Sequence, residues 1–287
     1  MCSFKNTITT PMFTLNCKGK LITTDVPPVM GIINATPDSF YRGDLNNGMD
    51  GILMLAKKMI NEGATILDIG GQSTKPGSIE ISSEKEMDRV IPVIKMIHEH
   101  FPQTILSVDT YQSAVAIKAI EAGACIVNDV SGGEADKKMI DTVAALRVPF
   151  ICMHMRGTAA NMKSFATYED VLKEVLDYFI FKIHQCRAAG IKDIIIDPGF
   201  GFAKNAAHNF NLLKNLHVFK MLDCPILAGL SRKSTIYKTL GITAAEALNG
   251  TTVLNTLALN NGANILRVHD VKEAVETVTL MESYKSA

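Results

Sequence analysis

Short apolar runs rich in Ile, Val and Leu recur along this chain, and between them lie longer stretches in which apolar residues return at helical spacing. The short runs read as buried strands and the longer ones as amphipathic helices. Strands are predicted over residues 29–33, 64–69, 105–108, 125–127, 149–153, 194–197, 225–229 and 265–268. Helices are predicted over 50–61, from Ser83 on, over 115–121 and 135–146, from Thr167 towards Gly190, from Asn205, over 243–260 and after Asp270. Gly63, Gly123 and Gly190 stand where helices should stop. Ser83 with Glu86, and Asp270 with Glu273, have capping-box spacing. Thr167 reads as an N-cap with Glu169 and Asp170 in the first turn, and Pro92 predicts a bend.

Residues 1–28 break this rhythm. Two strand-like segments flank Cys17-Lys18-Gly19-Lys20, a hairpin with Gly19 in the turn, expected to cover the bottom of the fold. Eight strands alternating with about eight helices predict the α/β class, a (β/α)8 TIM barrel over 29–287 with residues 1–28 as an extension. A doubly wound sheet is the alternative, but it would use fewer units for 287 residues.

Composition narrows the functional classes. Apolar residues make up 47% and charged residues 20%, with zero formal net charge, so no basic stripe points to nucleic acid or an anionic membrane. No apolar run approaches a membrane span. The cysteines at 2, 17, 125, 152, 186 and 224 lack CxxC or zinc spacing, which suits a reducing cytoplasm.

The predicted strands end on polar groups: Asn34, Asp68, Asp109, Asn128, His154, Asp197, Ser231 to Lys233, and Arg267 with His269. In a barrel these tips share one rim, where such folds keep their chemistry. Asp109, Asn128 and Asp197 supply the acceptors, and an amide donor, that an aminopyrimidinone ring requires. Singly, each reads equally well as a helix cap or loop staple. Lys233, Arg267 and His269 bring cations to the same mouth and suit a phosphate or diphosphate. Arg232 or Lys233 could instead serve as a structural ion-pair partner. The glycine spacing of P-loops and dinucleotide folds is absent, and His154 reads as a hydrogen-bonded core residue. The loops holding Asn34, Thr36, Asp38 and Ser39, and Ser73, Thr74 and Lys75, read either as solvated loops or as segments that complete the site.

At these residues the chain resembles the dihydropteroate synthases, members of the pterin-binding (β/α)8 family. The resemblance spans about residues 29 to 284 and rests on GIINATPDSF at 31–40, DIGGQSTKPG at 68–77, SVDT at 107–110, NDVSG at 128–132, MHMRGT at 153–158, DPGFGF at 197–202, SRKS at 231–234 and RVHD at 267–270. It implies a transferase of folate biosynthesis that joins a dihydropterin-CH2 diphosphate to p-aminobenzoate, with Mg2+. By motif, Asp109, Asn128, Asp197 and Lys233 would hold the pterin, with Met153 and Phe202 lining its pocket and Arg267 stacking on it. Asn34 would bind the metal and, with Lys75, Arg267 and His269, the diphosphate. Phe40, Thr74, Pro76 and Ser234 would form the p-aminobenzoate pocket, where sulfonamides compete. Lys233, Arg267, His269, Asp38 and Thr74 would carry the catalytic work. A cytoplasmic homodimer is the family's usual form.

Two departures stand out. The family's Glu-Ser-Thr-Arg appears here with Gln72 and Lys75, and Arg42 replaces a usual acidic residue. Lysine lacks the bidentate fork of arginine, which predicts a weaker grip on diphosphate that Arg42 would offset. A methyltetrahydrofolate-handling subunit and a pterin-binding, weakly catalytic paralogue are the competing readings.

Overall fold

A computed structural model describes residues 13–36, 48–73 and 77–287. Asp38, Phe40, Arg42, Thr74, Lys75 and Pro76 lie outside these residues. The first two strands, β1 (Phe13–Cys17) and β2 (Lys20–Thr24), pair in register Cys17↔Lys20. Their two-residue loop has Lys18 at φ 53° and Gly19 at φ 89°, both left-handed, as the tight hairpin turn requires.

Eight parallel strands follow: β3 (Val29–Asn34), β4 (Ile66–Gly70), β5 (Ile105–Asp109), β6 (Ile126–Asp129), β7 (Phe150–Met153), β8 (Ile194–Asp197), β9 (Leu227–Ala228) and β10 (Ile265–Val268). They lie in the order β8-β7-β6-β5-β4-β3-β10-β9. A parallel bridge between Ile196 and Ile226 joins the two ends, so the sheet closes and the doubly wound alternative is excluded. The hairpin seals the bottom. Leu15 and Cys17 pack on Met30, Ile66, Ile105, Ile126, Ile151, Ile195, Leu227 and Ile265, the lowest inward residues of the eight strands.

Strand periodicity then sets the next layers, because alternate residues face the same side. Two positions above that apolar floor stand Ile32, Asp68, Ser107, Asn128, Met153, Asp197, Gly229 and Arg267. Two positions higher are Asn34, Gly70, Asp109, Ser231 and His269. The intervening residues, such as Leu67, Val108, Val127 and Ile196, face outward into the larger core beneath the helices.

Among the described residues the α-helices are α1 (Met49–Asn61), α2 (Ser83–His100), α3 (Ser113–Ala122), α4 (Met139–Leu146), α5 (Val171–Ala188), α6 (Ala206–Lys214), α7 (Ser234–Leu240), α8 (Leu248–Asn260) and α9 (Val271–Ser286). Several ends differ from the sequence expectation. Ser82, not Ser83, caps α2 by accepting from Lys85 N, while Glu86 is buried against Gln112. Asp170 rather than Thr167 caps α5, because its carboxylate reaches the amides of Leu172 and Lys173. Asp270 makes no side-chain cap for α9, since both its oxygens go to Arg232. The α4 helix starts at Met139 instead of 135. Asp129 holds the amides of Ser131 and Gly133 and keeps the preceding stretch in turns. The short α7, not anticipated from the sequence, precedes α8, which begins at Leu248 rather than 243. The helix α2 runs through Pro92.

Candidate active site

The polar interior layer is organised around one guanidinium. Arg267, inward-facing on β10, donates through Nε to Asp68 Oδ2 at 2.7 Å and through a terminal nitrogen to Asp109 Oδ2 at 2.5 Å. Asp68 Oδ2 also accepts from Asn128 Nδ2 at 2.9 Å. That bond, assigned from the network, turns the Asn128 carbonyl away from Asp68, an acceptor left for a ligand. Burial raises the Asp109 pKa, and Arg267 opposes the rise. An ion pair at that distance holds the carboxylate in its charged form.

Across the mouth, Asp197 ends β8 and accepts from Gly199 N at 2.8 Å. Burial pushes its pKa up, while Lys233, the Gly199 amide, Arg267 and Lys204 pull it down. Lys233 donates to the Phe200 carbonyl and lies 4.7 Å from the centre of the Phe202 ring. A Cβ placed on Gly229 would stand 3.6 Å from Lys233 Nζ and 3.9 Å from Asp197 Oδ2, so ammonium and carboxylate flank a position kept free of side chain. Burial brings the Lys233 pKa down to about 8, against the pull of Asp197.

Met153 closes β7 in register with Asp197. Ser234 opens α7 beside a cleft of about 330 Å3 whose walls include Gly201, Lys204, Met162 and Lys238. None of Asp109, Asn128, Asp197 or Arg267 lines that cleft. Asn34 is exposed at the tip of β3, and its side chain makes no hydrogen bond among the described residues.

The expected convergence of Asp109, Asn128, Asp197, Lys233 and Arg267 is therefore present, and one expected cation needs correcting. The sequence reads His269 as a cation, but burial and then Arg267 depress its pKa to about 4, so it is neutral at pH 7. Its Nδ1 lies 3.0 Å from Ser231 Oγ. Arg232 is the structural ion-pair partner that the sequence left open. It binds Asp270 through two bonds of 2.8 Å and reaches the Ala244 and Ala245 carbonyls.

Asp68 is the functional residue that sequence reading passed over, named as a strand end but given no task. Its place two residues beyond Ile66 puts it on the inward face, the signal that would have found it. His154 is hydrogen-bonded, as expected, with Nδ1 2.9 Å from Lys204 Nζ.

A parallel barrel whose strand tips present carboxylates, a carboxamide and paired cations at one mouth defines a heterocycle-binding α/β-barrel enzyme. The comparisons agree: residues 30–269 match the family described as pterin binding enzyme, and the chain belongs to that family. Within it, the chain is 42% identical over 263 residues to the dihydropteroate synthase of Escherichia coli strain K12, covering 91% of this chain and 93% of that one. A solved Xanthomonas albilineans dihydropteroate synthase with 4-aminobenzoic acid superposes with a TM-score of 0.89 at 39% identity, covering 96% of this chain and 98% of the other. A Yersinia pestis dihydropteroate synthase in a sulfonamide drug complex gives 0.90 at 39% identity, covering 96% and 100%.

Proposed function

We propose that this chain condenses 7,8-dihydropterin-6-ylmethyl diphosphate with p-aminobenzoate to give 7,8-dihydropteroate and diphosphate. The observation that carries the proposal is the polar interior in which Asp68 and Asp109 hold Arg267 while Asp197 and Lys233 flank Gly229 at the same mouth. Asp109, Asn128 and Asp197 accept from the amino and ring N–H groups of the pterin. Arg267, held along its edge by two carboxylates, keeps a face for stacking on the ring. Met153 and Phe202 line the same pocket, and Lys233 donates to the ring carbonyl side.

Cleavage of the methylene C–O bond sends its electron pair to diphosphate and leaves a cation conjugated with the ring, beside carboxylates that favour positive charge. The neutral arylamine forms the new C–N bond and then loses a proton, so no strong general base is needed. Arg267 supplies the protein charge facing the departing anion, and neutral His269 contributes a hydrogen bond rather than a charge. Ser234, with Phe40, Thr74 and Pro76, holds p-aminobenzoate, the position where a sulfonamide competes. By motif, Lys75 would bind the diphosphate and Asp38 would share the catalytic work.

The exposed carboxamide oxygen of Asn34 is a hard donor that fits Mg2+, an ion content with one protein oxygen when substrate phosphates and water complete its shell. When bound, that ion would supply charge neutralisation on the leaving diphosphate. A homodimer through the last helices agrees with exposed Val253, Leu257, Leu280 and Tyr284 on α8 and α9. The free thiols of Cys17, Cys125, Cys152, Cys186 and Cys224 agree with a cytoplasmic setting.

The test is diphosphate release that depends on p-aminobenzoate, with and without Mg2+, for wild type and Lys233→Ala. Release in wild type and loss of about 30-fold or more in kcat/KM in the variant are expected, since a charged hydrogen bond is removed. Wild type that binds pterin but releases no diphosphate would overturn the reading and favour a binding subunit or a methyltransferase component.

A further inference from the structure

The segment after β8 ends on a lysine that the chemistry above does not use. Lys204 is only 8% exposed. Its Nζ lies 2.9 Å from His154 Nδ1, 3.1 Å from the Gly199 carbonyl, 3.1 Å from the Phe202 carbonyl and 3.3 Å from the His154 carbonyl. Three carbonyls and an acceptor nitrogen call for N–H donors, of which a neutral amine has two and an ammonium three. Burial pushes the Lys204 pKa well below the ordinary lysine value, while Asp197 and the three carbonyls pull the other way and favour the ammonium beside a neutral imidazole.

These bonds tie the end of β7 to both limbs of the loop after β8. That loop begins at Asp197, carries the Phe200 carbonyl that receives Lys233, and places the Phe202 ring near the same ammonium. Gly199 at φ 69° and Ala203 at φ 48° are both left-handed. A Cβ on Gly199 would lie 2.0 Å from the His154 carbonyl oxygen, so the two segments touch backbone to backbone. The Gly199 carbonyl also accepts from Phe202 N at 3.1 Å, but among the described residues Lys204 is the donor that meets the His154 and Phe202 carbonyls, and each left unpaired would cost about 1–3 kcal/mol.

We propose that Lys204 is a positioning residue for pterin recognition: a tethered cation filling a nest of carbonyls behind Asp197, which fixes both that carboxylate and the anchor point of Lys233. The inference rests on the synthase reading. Lys204 acts in two ways. Geometrically, it sets the loop on which the Phe200 carbonyl and Phe202 sit. Electrostatically, it is the third cation near Asp197, after Lys233 from the start of α7 and Arg267 from β10. The carboxylates Asp68 and Asp109 stand beyond Arg267, Arg156 lies behind Lys204, and His154 is held neutral by burial and by Lys204. Removing the Lys204 charge therefore makes Asp197 harder to ionise.

The experiment compares wild type, Lys204→Met and His154→Gln in steady-state assays of diphosphate release across pH. Lys204→Met keeps the stem and removes donors and charge. It should raise KM for the pterin diphosphate about tenfold or more, leave KM for p-aminobenzoate within about twofold, and move the acid limb of kcat/KM to higher pH. His154→Gln retains the ammonium and should leave that limb in place. A folded Lys204→Met enzyme with unchanged pterin KM and an unmoved limb would overturn the proposal, as would equal limb shifts in both variants. Should Lys204→Met not fold, 15N NMR of wild type labelled at lysine Nζ decides. A slowly exchanging Lys204 ammonium at neutral pH supports the proposal, and a neutral or freely exchanging amine overturns it. Absence of p-aminobenzoate-dependent release in wild type would instead strike the synthase reading, so the two failures are distinct.

Discussion

Gln72 does what a glutamate in its place could not. Its Nε2 donates to the Ser73 carbonyl at 3.1 Å and the Ile79 carbonyl at 2.9 Å, while Oε1 accepts from Ile81 N at 2.9 Å. A carboxylate would keep the last bond and lose both donors, leaving the part-buried Ile79 carbonyl unmatched while the Ser73 carbonyl keeps Ser78 Oγ. Gln72→Glu is expected to lower stability by about 1–3 kcal/mol, read by urea unfolding. The departure from the family residue is thus in use, holding together the two ends of its loop. Lys233 gives a prediction with a sign. Its folded pKa is depressed to about 8, so its positive charge is present below that pH and lost above it. The kcat/KM for the pterin diphosphate should fall as pH rises through about 8, and a pH profile of Lys233→Ala should lack that limb. Asp109, Asn128, Asp197 and Arg267 could be picked out in the chain because each is the polar tip of an apolar run. Asp68 is legible as an inward-facing strand tip but gains its task only from Arg267 and Asn128, and Lys204 could not be assigned, because its role consists entirely of the partners it meets.

At the level of elements, the hairpin β1–β2 separates stability from catalysis. Leu15 is 2% exposed and packs on the inward floor residues, one full layer below Asp68 and Arg267. Leu15→Ala should cost about 2–5 kcal/mol in thermal or urea unfolding while leaving both KM values near wild type. The turn was readable, since the Lys18-Gly19 dipeptide predicts its own conformation. Helix caps were less so. Asp270 has the sequence spacing of a cap but serves Arg232 instead, because a bidentate pair with a guanidinium outweighs one bond to an amide.

For the molecule as a whole, closure depends on its weakest seam. The strand β9 has two residues, and its link to β8 is the Ile196–Ile226 bridge. Asn264 supports that seam, accepting from Ile226 N at 2.9 Å through its side chain and donating to the Ile226 carbonyl through its backbone at 2.8 Å. Asn264→Ala should destabilise the fold by about 1 kcal/mol or more and speed amide exchange at Ile226. Because Asp197 on β8 and Lys233 after β9 straddle this seam, KM for the pterin diphosphate should rise with it.

Local chemistry along the chain determined the alternation of strand and helix, the hairpin, and which residues reach the tips of the strands, since hydrophobic period and turn residues act over a few positions. The tertiary structure alone decided that the sheet closes, that Arg267 pairs with Asp68 and Asp109 from 199 and 158 residues away, and that His269 is neutral. Pairing and protonation depend on burial and on charges distant in sequence, and these exist only once the barrel has formed.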